Sequence, residues 1–424
     1  MLSRWAAWAI VLLPCSAIAL QAARPARAQE ARSTGRSLSL EDALAAGDER
    51  AARVRVARSV VRQAEARAVG SLVLLPVNPR VAADLRPPVS AGAWGDTGYS
   101  VTGEVYFDVG GAPGARHREA LRGADSARAS LAVARREMRA EVWTAYVRAK
   151  IAEMRVGEAE AFGELARRVL DAVRLRSELG ASGDVEQSMA ALELAQLLAG
   201  AEGARRERSA RVMELRDALD LPAGEPLALT TALDAPPPPR TDAALLVARA
   251  IEARPELAEI RSHFALLDAT DERLRREVDP RVGVYGGIDA APLSPMFGVL
   301  GVSVELPVAQ RNQGPRARVA RERDTEALRL ELAVRHVERE VLAARAEYQS
   351  RHAELAAIRE QALPAAERTF ELAETGWRAG RFDVFRVTSA ERDVVRVRTQ
   401  RLDALEGTWL QLVALDRAVG GDAP

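Results

Sequence analysis

The chain has 424 residues, 48% hydrophobic and 28% charged, with a formal net charge of zero and 4% aromatics. A balanced charge excludes the broad positive field that attracts nucleic acid, and this length holds one large or two ordinary domains. Few aromatics beside abundant Ala, Leu, Arg and Glu favour long helices over a compact aromatic core.

The N-terminus reads as a targeting segment. Arg4 supplies the positive start, "WAAWAIVLLPCSAIAL" from Trp5 to Leu20 the apolar core, and "ARA" at 26–28 a small-x-small cleavage site, so residues 1–28 are expected to be a signal peptide. The alternative is a lipoprotein signal ending at Cys15, although Pro14 stands where a small residue is expected. Cys15 is the only cysteine, so cleavage near Ala28 leaves neither disulfide nor thiolate chemistry. Beyond residue 30 no apolar run of about 20 residues follows. The remaining physical route into a membrane is a closed β-barrel.

From there the sequence is written twice. "LSLEDALAAGDERAARVRVARSVVRQAEARA" (38–68) and "TDAALLVARAIEARPELAEIRSHFALLDAT" (241–270) both carry apolar residues at helical spacing. Ser39 and Asp242 are their expected N-caps. Each segment leads to an Asx-Pro-Arg-Val signal, at Asn78-Pro79 and at Asp279-Pro280. Proline stops a helix and biases its predecessor to extended backbone, so these four residues mark helix-to-strand corners. Alternating stretches follow. Val81, Ala83 and Leu85, then Val101, Gly103, Val105 and Phe107, share one face; Val282, Val284 and Ile288, then Leu300, Val302 and Val304, repeat the pattern. Such alternation suits transmembrane barrel strands of about 9–11 residues and equally a half-buried soluble hairpin.

Strand-to-helix corners are expected at Gly110, Gly111 and Gly114, and at Gly314 with Pro315. Each starts a long helical pattern, to about Glu178 and about Glu374. A second turn follows, "ELGASGDVEQ" in one half and "ETGWRAGRFDVF" in the other, where Asp184-Val185 mirrors Asp383-Val384. Final helices return to about Leu219 and Val419. The expected domains are a first repeat at 29–220, a Pro-rich linker at 221–240 and a second repeat at 241–420. Four strands cannot close a barrel alone. Three chains bring twelve strands with no free edge, and twelve long helices can enclose a lumen.

This plan, with "LLPVNPRV" (74–81), "FDVGGAPGARHREA" (107–120), "ELPVAQRNQGPRARVA" (305–320) and "LPAAERTFELAETGWRAGRFDVFRVTSAER" (363–392), resembles the TolC-type outer-membrane efflux proteins. "RNQG" after "LPV" resembles their CzcC-like, cation-efflux group. Where that family has a helix breaker near the opening helix, this chain has Ala51-Ala52. The resemblance implies a mainly α fold, a homotrimer with a 12-stranded transmembrane β-barrel in outer-membrane lipid, and a periplasmic α-barrel tunnel. It also implies passive conduction and a tip that docks a periplasmic adaptor linked to an inner-membrane pump. A periplasmic coiled-coil scaffold without channel activity is the alternative reading.

The tip residues singled out are Gly180, Gly183, Asp184, Val185, Gly376, Gly380, Asp383 and Val384. The glycines suit tight turns. Asp184 and Asp383 either place carboxylate rings near an aperture or cap the returning helices. "GGAPG" has no following lysine and reads as a turn rather than a phosphate loop. His117, His263, His336 and His352 show no metal-ligand spacing, and no nucleophile or acid/base constellation stands out. No enzyme activity, cofactor, metal or nucleic-acid partner is expected.

Overall fold

A computed structural model of the chain describes residues 36–75, 77–87, 97–178, 183–222, 224, 227–238, 242–290 and 295–421. The expected signal peptide, Cys15 and Gly180 lie outside them. The first repeat runs β1 (Arg36–Leu38), α1 (Leu40–Arg50), α2 (Ala52–Ala68), β2 (Arg80–Arg86), β3 (Gly98–Asp108), α3 (Ala112–Glu178) and α4 (Asp184–Ala218). After β4 (Leu227–Leu229) the second runs α5 (Ala243–Ala253), α6 (Pro255–Arg276), β5 (Arg281–Ala290), β6 (Phe297–Glu305), α7 (Gln313–Ala357), a π turn (Ile358–Ala362), α8 (Leu363–Arg378) and α9 (Val384–Val419).

Each opening segment is two helices, not one. In the second repeat Pro255 forces Arg254 to extended backbone, φ −66° and ψ 123°. In the first, Ala51 adopts nearly the same angles, φ −52° and ψ 128°, without a proline. Tertiary packing imposes that break. Ala51 is buried in a core with Leu38, Val54, Met138, Val142, Tyr146 and Leu215. Ser39 caps α1, its Oγ accepting from Asp42 N at 3.0 Å, whereas Asp242 stands at the α5 N-cap without a side-chain bond.

The 67 residues of α3 span about 100 Å at 1.5 Å per residue. Its counterpart in the second repeat is one path from α7 through α8, widened at Ile358–Ala362 into a π turn. Pro364 follows at once. It has no N–H to donate and its ring crowds the preceding turn, which the wider turn relieves.

The linker is more than a spacer. Its β4 pairs in parallel with β1, Leu38 opposite Leu229, and it is stitched to both repeats by buried tyrosines. Tyr146 of α3 donates to Leu38 O at 3.0 Å and accepts from Thr231 N at 3.1 Å. Tyr348 of α7 donates to Pro237 O, and Trp409 Nε1 to Asp234 O at 2.9 Å. A second core gathers Leu246, Leu257, Val341, Tyr348 and Leu415 around the α5–α6 break. There the buried Arg254 donates to Glu340 at 2.6 Å. Arg136 of α3 pairs with Glu256 and donates to Arg417 O at 2.8 Å. Burial first, then repulsion from Arg254 and Arg417, pushes the Arg136 guanidinium down to about 10, and it stays charged at neutral pH.

Candidate functional site

Two places carry the chemistry that the sequence suggests: a four-stranded sheet at one end of the helices, and paired helical turns at the other.

The sheet is antiparallel throughout, in the order β2-β3-β5-β6. Its register brings Val81 opposite Gly103, Gly103 opposite Gly286 and Gly286 opposite Leu300. The next rows align Val105 with Val284 and Val302, and Phe107 with Val282 and Val304. Every residue of the alternating apolar set therefore lies on one continuous face. That face is bare: Leu300 is 85% exposed and Leu85 76%. The opposite face is polar. Asp108, Arg281 and Glu305 stand in one row, Arg281 Nε reaching Asp108 Oδ1 at 3.2 Å, and Arg86 bonds Asp289 at 3.0 Å. Glycine keeps this polar face tight. A Cβ on Gly283 would meet Ser303 and Tyr106, one on Gly301 the Tyr285 ring, and one on Gly287 the backbone of β3. β2 and β6 are left as edges.

The corners differ between repeats. Asp279-Pro280 sits just beyond the end of α6, with Asp279 N bonded to Arg276 O at 3.1 Å. Asn78-Pro79 instead lies directly before β2 but far past the end of α2 at Ala68. A longer connector from Val69 intervenes, so Asn78 and Pro79 open a strand without closing a helix. Gly110 and Gly111 do lie between strand and helix, against Asp279. A Cβ on Gly110 would fall 2.5 Å from the Asp279 side chain, whose Oδ2 accepts from Gly111 N at 3.3 Å. Gly114, Gly314 and Pro315 fall within the first turns of α3 and α7, so they do not form the bend. Asn312, at φ 56°, makes the second bend, its Nδ2 bonded to Leu274 O at 2.9 Å. The left-handed conformation is open to Asn as well as Gly, so the bend falls at Asn312 rather than at the expected Gly314 and Pro315.

At the far end, α8 closes on Gly380 at φ 70°. Gly380 N donates to Trp377 O at 3.0 Å and Arg381 N to Gly376 O at 2.8 Å, the paired bonds of a Schellman motif. Gly376 is inside α8, not in the turn. It is glycine for space, because a Cβ there would overlap the Phe382 ring. Asp383 caps α9, accepting from Arg386 N at 3.1 Å. In the first hairpin Gly183 is the N-cap and makes no side-chain bond, so Asp184 is the first residue of α4 rather than its cap. Trp377 joins the hairpins. It packs with Val169, Leu170, Val173, Ala190, Val384 and Val387, and the Arg176 guanidinium lies 5.4 Å from its ring centre. Val185 is exposed and Val384 buried.

Ion pairs run up from this end between the hairpins. Arg392 holds Glu193 at 2.7 Å, Glu158 accepts from Arg398 at 3.1 Å and Arg401 at 3.0 Å, and Arg155 binds Asp403 at 2.7 Å and Glu406 at 2.8 Å. Beside them Glu391, which sequence reasoning passed over, is buried on the stripe Val384, Val387, Val394. The histidines are scattered: His117 with Ser71, His263 with Glu326 and His336 with Glu340. Among the described residues no cluster of three or more metal-ligating side chains forms, and no helix is long and apolar enough to cross a membrane.

Comparison with known proteins extends this geometry. Residues 249–421 match the family model described as outer membrane efflux protein. The cobalt-zinc-cadmium resistance protein CzcC of Cupriavidus metallidurans is 29% identical over 333 residues, 74% of this chain and 75% of the relative. CusC, solved in a study of transmembrane channel formation, superposes at a TM-score of 0.74 with 16% identity, covering 92% of this chain and 94% of its own. The open state of the Neisseria gonorrhoeae MtrE outer membrane channel gives 0.72 and 18%, covering 90% and 89%.

Proposed function

We propose that this chain is an outer-membrane efflux protein, a reading supported by its likeness to that family over residues 249–421 and to CzcC, and that three copies form a passive exit duct from periplasm to exterior. The observation that carries this reading is the sheet. It has one continuous bare apolar face, one polar face and two unpaired edges. A lone copy leaves edge groups unsatisfied, which hydrocarbon does not tolerate. Three copies give twelve strands in a closed ring, apolar side to lipid and polar side to water. The scaffold alternative leaves that apolar face with nothing to cover it.

The remaining roles follow from this arrangement. The helices extend the lumen through the periplasm, and the tip around Gly183, Asp184, Val185, Gly376, Gly380, Asp383 and Val384 docks a periplasmic adaptor coupled to an inner-membrane pump. Likeness to a cobalt-zinc-cadmium resistance protein supports divalent metal cations as the cargo. They pass along the polar wall without a resident site. The energy comes from the pump.

Fractionation of a Gram-negative host expressing the full precursor, with sizing of the detergent extract, tests this. A trimer in the outer membrane is the expected result. A soluble periplasmic monomer overturns it.

A further inference from the structure

The connector between α2 and β2, residues 69–79, contains no charged residue. It is pinned inward at Ser71, Val73 and Leu74. Leu74 O accepts from Asp108 N at 2.9 Å, Val73 O from Arg116 Nη2 at 3.1 Å, and Ser71 Oγ lies 2.7 Å from His117 Nδ1. Its apolar side chains are nevertheless left outside: Leu74 is 61% exposed, with Leu72 and Val77 similar. A second uncharged stretch, residues 306–310, follows β6, and there Val308 is 73% exposed and Leu306 likewise bare. A fixed backbone presenting bare apolar side chains is a surface awaiting a partner.

The duplication says which partner. Inside the chain, the residues after β3 meet those before β5: Gly111 N bonds Asp279 and Arg281 bonds Asp108. That seam is short and polar. The equivalent seam of the other kind joins the residues after β6 to those before β2, and it cannot form within one copy because β2 and β6 are opposite edges. With all neighbours antiparallel, β6 of one copy runs antiparallel to β2 of the next in any closed ring. The end of β6 therefore adjoins the start of β2, within the stagger of the barrel.

We infer that Leu72, Leu74 and Val77 of one copy and Leu306 and Val308 of the next form an apolar clasp that seals the seam between copies of this chain. The inference rests on the ring of three proposed above. It assigns Leu72, Leu74 and Val77 to a protein partner rather than to lipid. The within-chain seam is sealed by hydrogen bonds and the between-chain seam by apolar burial, which needs no exact prior alignment of donors and acceptors.

The test is disulfide trapping in the full-length protein with Cys15→Ser. Leu72→Cys, Leu74→Cys or Val77→Cys is combined with Leu306→Cys or Val308→Cys, and outer membranes are treated with a mild oxidant. At least one pair is expected to shift the denatured band from monomer to a reducible trimer, with every single variant staying monomeric. Bridging needs Cα atoms about 4.4–6.8 Å apart, which only adjoining segments meet. If no pair links while light scattering still shows trimers, the clasp is wrong. Quenching of a fluorophore at Leu74→Cys by nitroxide lipid then gives the patch to the bilayer. Absence of trimers overturns the ring itself.

Discussion

Arg392 on α9 donates from Nε to Glu193 Oε2 on α4 at 2.7 Å, tying one hairpin to the other. Its chain neighbour Glu391 is 1% exposed, and neither of its carboxylate oxygens has a hydrogen-bond partner. Burial first and the Glu193 charge second push the Glu391 carboxyl up to about 7, against a smaller pull from Arg392. The unfolded chain ionises at its ordinary value of 4.5, so the sign is fixed. Stability from this site is complete below about 4.5, falls as pH rises to about 7, and is flat above. The whole effect is on the order of 3 kcal/mol. Glu391→Gln is expected to flatten the melting temperature between pH 4.5 and 7 and to raise it at pH 8. Melts of both proteins at pH 4.5, 6 and 8 decide this; an unchanged slope in the variant assigns the titration to another group.

Such a residue shows what the sequence makes legible. Glu391 stands at helical spacing from Val384, Val387 and Val394, so its place on a buried stripe is available from spacing alone, but a carboxylate there reads as solvated until the packing is seen. The sheet was readable because alternation is a two-residue signal that register cannot blur, and Gly103, Gly286 and Leu300 fall in one row as their parity requires. Ala51 was not readable as a break. Nothing in Ala-Ala demands extended backbone, and only burial against α3 and its neighbours does. The β1–β4 pair escaped for a related reason, since three-residue strands distant in sequence leave no periodicity.

The two tip aspartates separate in energy. Asp383 accepts from Arg386 N, and Asp383→Ala is expected to cost about 1 kcal/mol, within the range for a lost cap. Asp184 makes no cap, since Gly183 holds that position. Asp184→Ala loses only the favourable end of the helix dipole, roughly 0.3–1 kcal/mol. Urea melts measure both. The double variant in planar bilayers reads the other role. Loss of cation preference assigns the carboxylates to an aperture ring, whereas unchanged selectivity leaves Asp383 a cap only.

The linker tyrosines carry a similar ordering. Tyr146 makes two bonds, to Leu38 O and from Thr231 N; Tyr146→Phe loses both and leaves the Thr231 N–H unpaired, while Leu38 O keeps its bond from Thr230 N at 3.1 Å. Each unpaired buried group costs about 1–3 kcal/mol. Tyr348→Phe loses a single bond, to Pro237 O. The melting temperature is therefore expected to drop further for Tyr146→Phe than for Tyr348→Phe, and equal drops would show that Thr231 N finds another acceptor.

The sharpest test of the sheet is a pair of glycines on β5 and β3. A Cβ on Gly287 would fall 2.2 Å from Val101 O and 2.9 Å from Thr102 Cα. Both are backbone atoms, so no rotamer change relieves the overlap, and the strands that yield must be β3 and β5, the ladder that joins the repeats. On Gly103, in the same ladder but on the apolar face, the nearest atom to an added Cβ is Gly286 O at 3.9 Å, an ordinary contact. Gly287→Ala is therefore expected to cut the yield of outer-membrane trimer by roughly fivefold or more, as a strain of about 1–3 kcal/mol implies. Gly103→Ala should assemble normally. Circular dichroism should find the helices of both variants intact, because α3, α4 and α7 to α9 pack through cores remote from β5. Equal trimer yields would mean that the sheet opens at Gly287 on assembly, and that the polar face is wider in the ring than in the single chain.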